Sequence, residues 1–262
     1  LYRNFLYSGI FFGENCVVMD MNVFIDLYKR VGKIRVDSCP PSALSGLLHG
    51  YLSVCSIVRV YPWLEEEYGT WWDNYLRIQE IARELNKLVQ DESLDFDERV
   101  GYVVDLLDAY QTIDDMPFVE LGLEIAYTLL ASEEGKTVVM RGGTPNMCRM
   151  LCYCFYFAED EDSKSVAGNM IKGWLEEYKT GKCSRKIWQA ISFYENVVND
   201  NQDYYQRGER GQLITCNVQV EDEIINLYIN KGQEVDVYLL TNVFQLLAGR
   251  MFENYDKDAL LQ

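Results

Sequence analysis

The sequence predicts an α/β fold in which a central parallel sheet is flanked by helices. Three observations support this prediction. Short runs of β-branched and apolar residues recur along the chain, segments with helical periodicity separate them, and acidic or polar residues stand where two of the runs end. Strands that alternate with helices are typical of parallel sheets, because each parallel connection needs a crossover helix.

The first half of the chain has strand–helix–strand–helix order. Apolar runs that end at a polar residue or a proline indicate strands, and apolar residues three and four positions apart indicate helices. Pro40 and Pro41 separate two of these elements, and Pro62 stops another. In chain order the elements are a strand at 15–19, a helix at 23–31, a helix capped by Ser42 that runs to Leu52, a strand at Ile57–Tyr61, and a helix from about Glu65 to Val89.

Beyond the polar linker at 91–97, the pattern is more helical. Helical periodicity returns at 100–107 and 119–130, and Thr137–Met140 reads as a third strand closed by Gly142 and Gly143. A largely helical block follows from Asn146 to about Asp200. The last module, from Asp222 to Leu247, reads as helix–strand–helix, with its strand ending at Leu239-Leu240-Thr241-Asn242.

This order predicts an α/β core with one insertion. The core comprises residues 1–145 and 213–262, and residues 146–212 form a helical insertion. The insertion opens with an apolar run between Met147 and Phe157. Such a run is either buried against the core or exposed as a docking surface for a protein partner. Burial is the expectation for its first half.

Composition limits the classes of function. With 262 residues and a net charge of −17, the chain repels phosphate as a whole, so nucleic-acid binding requires grouped basic residues such as Lys29–Arg35. No apolar run of about 20 residues is evident, so no membrane association is predicted, and the expected location is the nucleus or cytoplasm. His49, the one histidine, reads as a partly buried structural imidazole, and the eight cysteines read as reduced core thiols.

Acidic residues at predicted strand ends are the candidate site. A cation that activates water beside a phosphodiester needs several carboxylates in one pocket. Asp20 follows the first strand, the Glu65-Glu66-Glu67 triplet follows the second, and Asp222 begins the last module. Ligands of open α/β sheets bind at the carboxyl ends of the strands, so these acids are expected to converge there. Because neighbours on a helix are about 100° apart, only one glutamate of the triplet can face the site.

Four segments in this order resemble those of PIN-domain ribonucleases. The resemblance is to the eukaryotic RNA-surveillance branch of that family, and it leaves the helical insertion unexplained. The segments are Val17-Val18-Met19-Asp20-Met21-Asn22, Val60-Tyr61-Pro62-Trp63-Leu64-Glu65-Glu66-Glu67, Thr137-Val138-Val139-Met140, and Glu221-Asp222 followed by Leu239-Leu240-Thr241-Asn242.

The resemblance implies a metal-dependent endoribonuclease that cuts single-stranded RNA in RNA processing or surveillance. Asp20, Glu67 and Asp222 would hold Mg²⁺ or Mn²⁺, with Glu66 as the alternative to Glu67. The residues that would orient the ligands or the water are Asn22, Thr241 and Asn242. Where the family ends its last strand with a further Asp, this chain has Val243, which cannot bind a cation.

Two other functions remain open. The first is a catalytically degenerate PIN-like domain that serves as a protein-interaction module in an RNA-processing complex. Val243, the negative charge and the aromatic insertion favour it. The second is an α/β domain outside this family that binds a protein partner.

Overall fold

The computed structural model describes residues 21–113, 116–178, 184–194, 197–198, 221–232 and 234–261. All regular elements in these ranges are helices. The helices are α1 (Met21–Val31), α2 (Pro41–Val60), α3 (Glu65–Tyr68), α4 (Trp71–Val89), α5 (Phe96–Ile113), α6 (Met116–Ala131), α7 (Glu133–Met140), α8 (Pro145–Ala158), α9 (Glu161–Tyr178), α10 (Arg185–Tyr194), α11 (221–231) and α12 (Val237–Leu261), with 3-10 turns at Val36–Ser38 and Pro62–Leu64.

The predicted α/β fold with a central parallel sheet is therefore wrong for the described part of the chain. Ile57–Tyr61 forms the last turn of α2 and its C-cap, Thr137–Met140 lies in α7, and the run through Leu239 and Asn242 lies in α12. The physical reason is that strand propensity is a weak preference, which burial on a helix overrides. The strand predicted at 15–19 lies outside the described residues.

The chain divides into two compact units, and the division falls within α5, after Leu107. The described helices of the first unit are the start of α5 and α6 to α10. Those of the second unit are α1 to α4, the end of α5, α11 and α12. The sequence-based boundaries of the insertion at 146 and 212 stay a prediction.

Helix α2 packs along α12 in the most extensive helix–helix contact among the described elements. Pro41 at the first turn of α2 favours the start of this helix, since its fixed φ suits a helix and its missing N–H has no partner there anyway. Gly46 and Gly50 permit the close approach. A Cβ at Gly46 would lie 2.9 Å from the backbone oxygen of Thr241, and a Cβ at Gly50 would lie 2.2 Å from the Phe244 ring.

Aromatic side chains fill the centre of the second unit. The ring of Phe244 lies 5.2 Å from that of Tyr51 and 6.0 Å from that of Phe24, measured between centroids. Tyr28 donates its hydroxyl to the backbone oxygen of Tyr68 at 2.5 Å, and its ring meets the Tyr68 ring edge-on. Rings in tilted and edge-on arrangements add to the stabilisation that their burial gives. These contacts join α1, α2, α3 and α12.

In the first unit, α8 packs against α9 and α10, and α6 packs against α7 and α8. Thr144 caps α8 by accepting a hydrogen bond from the Met147 N–H at 3.1 Å, and its own hydroxyl donates to Asp97. The apolar run at the start of α8 is buried, with Met147 and Met150 fully enclosed. Burial of the first half of this run is thus confirmed.

Helix α2 is long and apolar enough, by length and composition alone, to cross a membrane. However, 67% of its apolar stretch is buried inside the protein. A core helix of this length passes the same test, so we interpret α2 as the central helix of the second unit. It is the single helix of this kind found in the described ranges.

Candidate functional site

The described acidic residues among the predicted site residues lie on helices and not at strand ends. Asp20 lies outside the described residues. Asn22 lies in α1, and Glu67 is exposed on α3, a helix of one turn. In the described part of the chain, neither Glu67 nor Asp222 belongs to a group of three or more side chains that could hold a metal ion. The predicted Mg²⁺ or Mn²⁺ site at these residues stays a prediction.

Asp222 binds a basic side chain. Arg250 on α12 donates hydrogen bonds to Asp222 Oδ1 at 2.8 Å and to Glu221 Oε2 at 3.2 Å. Burial alone would lower the pKa of Arg250, but the hydrogen bond to Asp222 and the charge of Glu221 raise it above the ordinary value. Glu221 is buried and Arg250 is mostly buried. These contacts attach α11 to α12, so Asp222 has a structural partner.

The three positions at the predicted last strand are helical. Thr241 Oγ1 and Asn242 Nδ2 each donate to the backbone oxygen of Tyr238, at 3.2 and 3.3 Å, within the same helix. Val243 is fully buried in α12. Position 243 faces the interior of the second unit, where an apolar side chain packs well. This explains why the chain has a valine there and not a carboxylate.

One basic group predicted for phosphate contact is used within the protein. Arg30 donates to the hydroxyl of Tyr228 at 3.1 Å, and its guanidinium lies 5.6 Å from the centroid of that ring. This contact joins α1 to α11 and combines a hydrogen bond with a cation–π interaction.

Three cysteines are buried in the first unit. Cys148, Cys152 and Cys154 are free thiols inside the first unit. Burial raises the pKa of Cys154 to about 12 and raises that of Cys152 as well. Because the thiolate is the reactive form, the raised pKa values of Cys152 and Cys154 disfavour their reaction at neutral pH. The sequence-based prediction of reduced core thiols is confirmed for these three.

A surface in the second unit combines exposed tryptophans with carboxylates. Trp63 and Trp72 are 68% and 55% exposed. Residues 60–76 carry four acidic side chains and neither Lys nor Arg. We call this segment the aromatic–acidic surface; its exposed members are Val60, Pro62, Trp63, Glu66, Glu67, Thr70, Trp72, Asp73 and Leu76.

Hydrogen bonds fix the turn that carries this surface. Asp73 accepts from the backbone N–H and the hydroxyl of Thr70, at 3.0 and 2.6 Å, and Thr70 Oγ1 accepts from the Asp73 N–H at 3.0 Å. The bonds from Thr70 lower the pKa of Asp73, so it stays charged into acidic solution. Asn74 is buried and donates to the backbone oxygen of Tyr68 at 2.8 Å. Gly69 takes a φ of 69°, which only glycine adopts without strain.

Aromatic stacking orders the start of α4. The rings of Trp72 and Tyr75 are 5.1 Å apart and inclined by 17°, and the Trp71 ring lies 5.2 Å from that of Tyr75. The Trp71 N–H donates to Glu65 Oε1 at 3.3 Å, so the glutamate triplet is tied to α4. These contacts order this part of the surface in the absence of a ligand, which lowers the conformational entropy lost on binding.

A second cluster involves His49, which no sequence pattern links with an acidic residue. His49 Nε2 on α2 lies 3.7 Å from Asp108 Oδ2 on α5. Both side chains are largely enclosed, with 14% and 7% exposed. Asp105 lies one turn before Asp108 on the same helix and is also buried.

Comparison with known protein families, curated proteins and solved structures found no match to this chain.

Proposed function

We propose that this chain is a protein-interaction module that docks a basic, Lys- and Arg-rich segment of a protein partner on the aromatic–acidic surface. The observation that carries the proposal is the pairing of two tryptophans, each more than half exposed, with four acids and no basic residue in one short segment. Exposed tryptophans are unfavourable in water and are common centres of binding interfaces.

The chemistry of the surface selects a cation. A guanidinium or ammonium group over the face of a tryptophan is attracted by the ring, and a neighbouring carboxylate strengthens the attraction. Arginine is the better ligand, since its flat guanidinium stacks on indole and pairs with carboxylates. The net charge of −17 adds a long-range attraction that speeds the approach of a basic partner. The same charge repels a phosphate backbone.

Cleavage of single-stranded RNA stays a prediction, as does a protein partner docked through the helical insertion. The residue on which cleavage depends most, Asp20, lies outside the described residues, and Asp222 is bound to Arg250. The aromatic–acidic surface needs neither of them, and every residue that it uses is described.

Fluorescence anisotropy tests the proposal with three labelled twelve-residue peptides of alternating composition: Arg-Gly, Lys-Gly and Glu-Gly. We expect the Arg-Gly peptide to bind most tightly, the Lys-Gly peptide less tightly and the Glu-Gly peptide not at all. The variants Trp63→Ala and Trp72→Ala should each weaken Arg-Gly binding at least tenfold, as expected for a buried aromatic contact worth about 1.4 kcal/mol or more.

The control separates docking from general attraction to an acidic protein. Tyr238 is 55% exposed in the same unit, on another helix, so Tyr238→Ala should leave the affinity unchanged. An unlabelled single-stranded RNA of twelve nucleotides should fail to displace the peptide. Equal affinity of wild type and both tryptophan variants, or no binding of the Arg-Gly peptide, would overturn the proposal.

A further inference from the structure

We propose that the basic segment docked on the aromatic–acidic surface is supplied by a second copy of this chain, so that two copies form a symmetric dimer. This inference rests on the proposed function and names its partner. It follows from a second charged surface of opposite sign in the same compact unit. That surface is residues 29–35, which we call the basic segment.

The basic segment carries four basic side chains and no acidic one, in a chain whose net charge is −17. It comprises the end of α1 and the turn that follows. Arg30 and Arg35 have partners within the protein. Lys29 and Lys33 are exposed and four residues apart, so their ammonium groups can meet one partner surface.

The basic segment lies beside the aromatic–acidic surface. Tyr28, the residue before the segment, donates its hydroxyl to the backbone oxygen of Tyr68 at 2.5 Å, and this hydroxyl lies 3.1 Å from Asn74 Oδ1. Arg77 on α4 donates to the backbone oxygen of Ile34, within the segment. These contacts hold the segment against α3 and α4, which carry the surface. Two patches of opposite charge are therefore neighbours on one compact unit.

Each patch can bind the opposite patch of another copy. In the ranges that the structure describes, no ion pair joins Lys29 or Lys33 to an acidic residue of the aromatic–acidic surface. The stem of a lysine can cover a tryptophan ring while its ammonium group pairs with a carboxylate beside the ring. Trp63 and Trp72, with Glu66 and Glu67, offer this combination to the two lysines of a second copy.

Neighbouring patches of opposite charge are self-complementary. In a dimer with a twofold axis, the basic segment of each copy meets the aromatic–acidic surface of the other, so every contact occurs twice. Both contacts form for one loss of translational and rotational freedom, which favours the dimer over a single docked peptide. At about 0.15 M salt, repulsion between two acidic copies is screened beyond about 8 Å, whereas charges enclosed in a contact are screened less.

Exchange of charges between the two patches tests the dimer. Sedimentation equilibrium of the wild-type chain from about 10 µM to about 500 µM should show a mass that rises toward that of two copies. Lys29→Glu with Lys33→Glu places like charges at both contacts, and so does Glu66→Lys with Glu67→Lys. Each double variant alone should self-associate about tenfold more weakly or less. An equimolar mixture of the two should restore the dimer, since both contacts in the mixed dimer join opposite charges.

A matched control changes the net charge without altering either patch. Lys136→Glu with Lys172→Glu changes two exposed lysines of the first unit and adds the same negative charge as Lys29→Glu with Lys33→Glu. This control should self-associate as wild type does. All the substituted side chains are exposed, so each variant should fold, which far-ultraviolet circular dichroism checks. The Arg-Gly peptide should dissociate the wild-type dimer, because it binds the same surface.

Three results would overturn the dimer. The first is a wild-type chain that keeps the mass of one copy over this range while it binds the Arg-Gly peptide, and the docking function would then stand with another partner. The second is a mixture of the two charge-exchanged variants that stays monomeric although both are folded. The third is a wild-type chain that neither self-associates nor binds the peptide, which would overturn the docking function as well.

Discussion

Truncation of Phe244 to alanine is expected to lower the free energy of unfolding by about 3–5 kcal/mol. The ring is fully buried between α1, α2 and α12, and it stacks on Phe24 and meets Tyr51 edge-on. Its removal leaves a cavity that the surrounding helices cannot close completely. Urea denaturation, followed by far-ultraviolet circular dichroism, measures the change. Tyr238→Ala on the same helix, at an exposed position, should change stability by no more than about 0.5 kcal/mol.

A substitution at Gly50 on α2 tests the packing of the Phe244 ring against that helix. In wild-type protein, Gly50→Ala places a Cβ 2.2 Å from Cδ1 of Phe244, so this substitution should destabilise despite the better helix propensity of alanine. In the Phe244→Ala background, the added methyl group enters the cavity and should stabilise. Reversal of sign between the two backgrounds is the expected result. Equal effects of Gly50→Ala in both backgrounds would mean that the ring does not lie over this glycine.

Replacement of Arg250 by methionine is the second substitution expected to have a large effect, about 3–5 kcal/mol. It removes the guanidinium that contacts the enclosed carboxylate of Glu221 and the carboxylate of Asp222. Removing one member of a buried ion pair costs more than the pair contributes, because the remaining charge has lost its hydration. Thermal and urea denaturation both measure the loss.

Two further variants decide whether burial causes this loss. Arg35 pairs with Asp37 at 2.6 Å on the surface, so Arg35→Met makes the same substitution where both partners meet water, and we expect no measurable change. The double variant Arg250→Met with Glu221→Met removes both enclosed charges and should recover most of the lost stability. A double variant as unstable as Arg250→Met alone would contradict the assignment.

Helices were predictable wherever their apolar spacing was long and regular. Phe24, Leu27 and Val31 line the buried face of α1, as their spacing indicated, and the helical reading of residues 65–89 differs from the structure only by the break at Gly69. That break is visible in the sequence as a glycine followed by a capping threonine.

The strand predictions were wrong because short β-branched runs do not distinguish a strand from a buried turn of helix. In Ile57–Tyr61, the first two residues are buried and the next two are exposed, which is a helical pattern. A strand would have exposed alternate residues. The run continues the apolar spacing of α2, and length alone favoured one helix of 20 residues over a helix and a strand.

Capping residues were the signals that could have corrected the reading. Asp236 accepts a hydrogen bond from the Leu239 N–H at 2.8 Å and so begins α12. Ser132 accepts from the Gly135 N–H at 3.0 Å and begins α7. Each precedes a run that was read as a strand.

The two site features differ in how far the sequence could reveal them. The aromatic–acidic surface is local, and its tryptophans and glutamates are adjacent in the printed sequence; only their exposure was unknown. The contact between His49 and Asp108 joins two residues that are 59 positions apart in the sequence. Such a meeting depends on how α2 packs against α5, which no local pattern encodes.

Backbone chemical shifts test the central claim most directly, namely that the predicted strand ends are turns of helix. Assigned Cα shifts at 57–60, 137–140 and 237–242 should lie downfield of random-coil values, as in a helix. Upfield shifts at all three segments would restore the parallel sheet, and with it the convergence of acids that metal-dependent RNA cleavage requires.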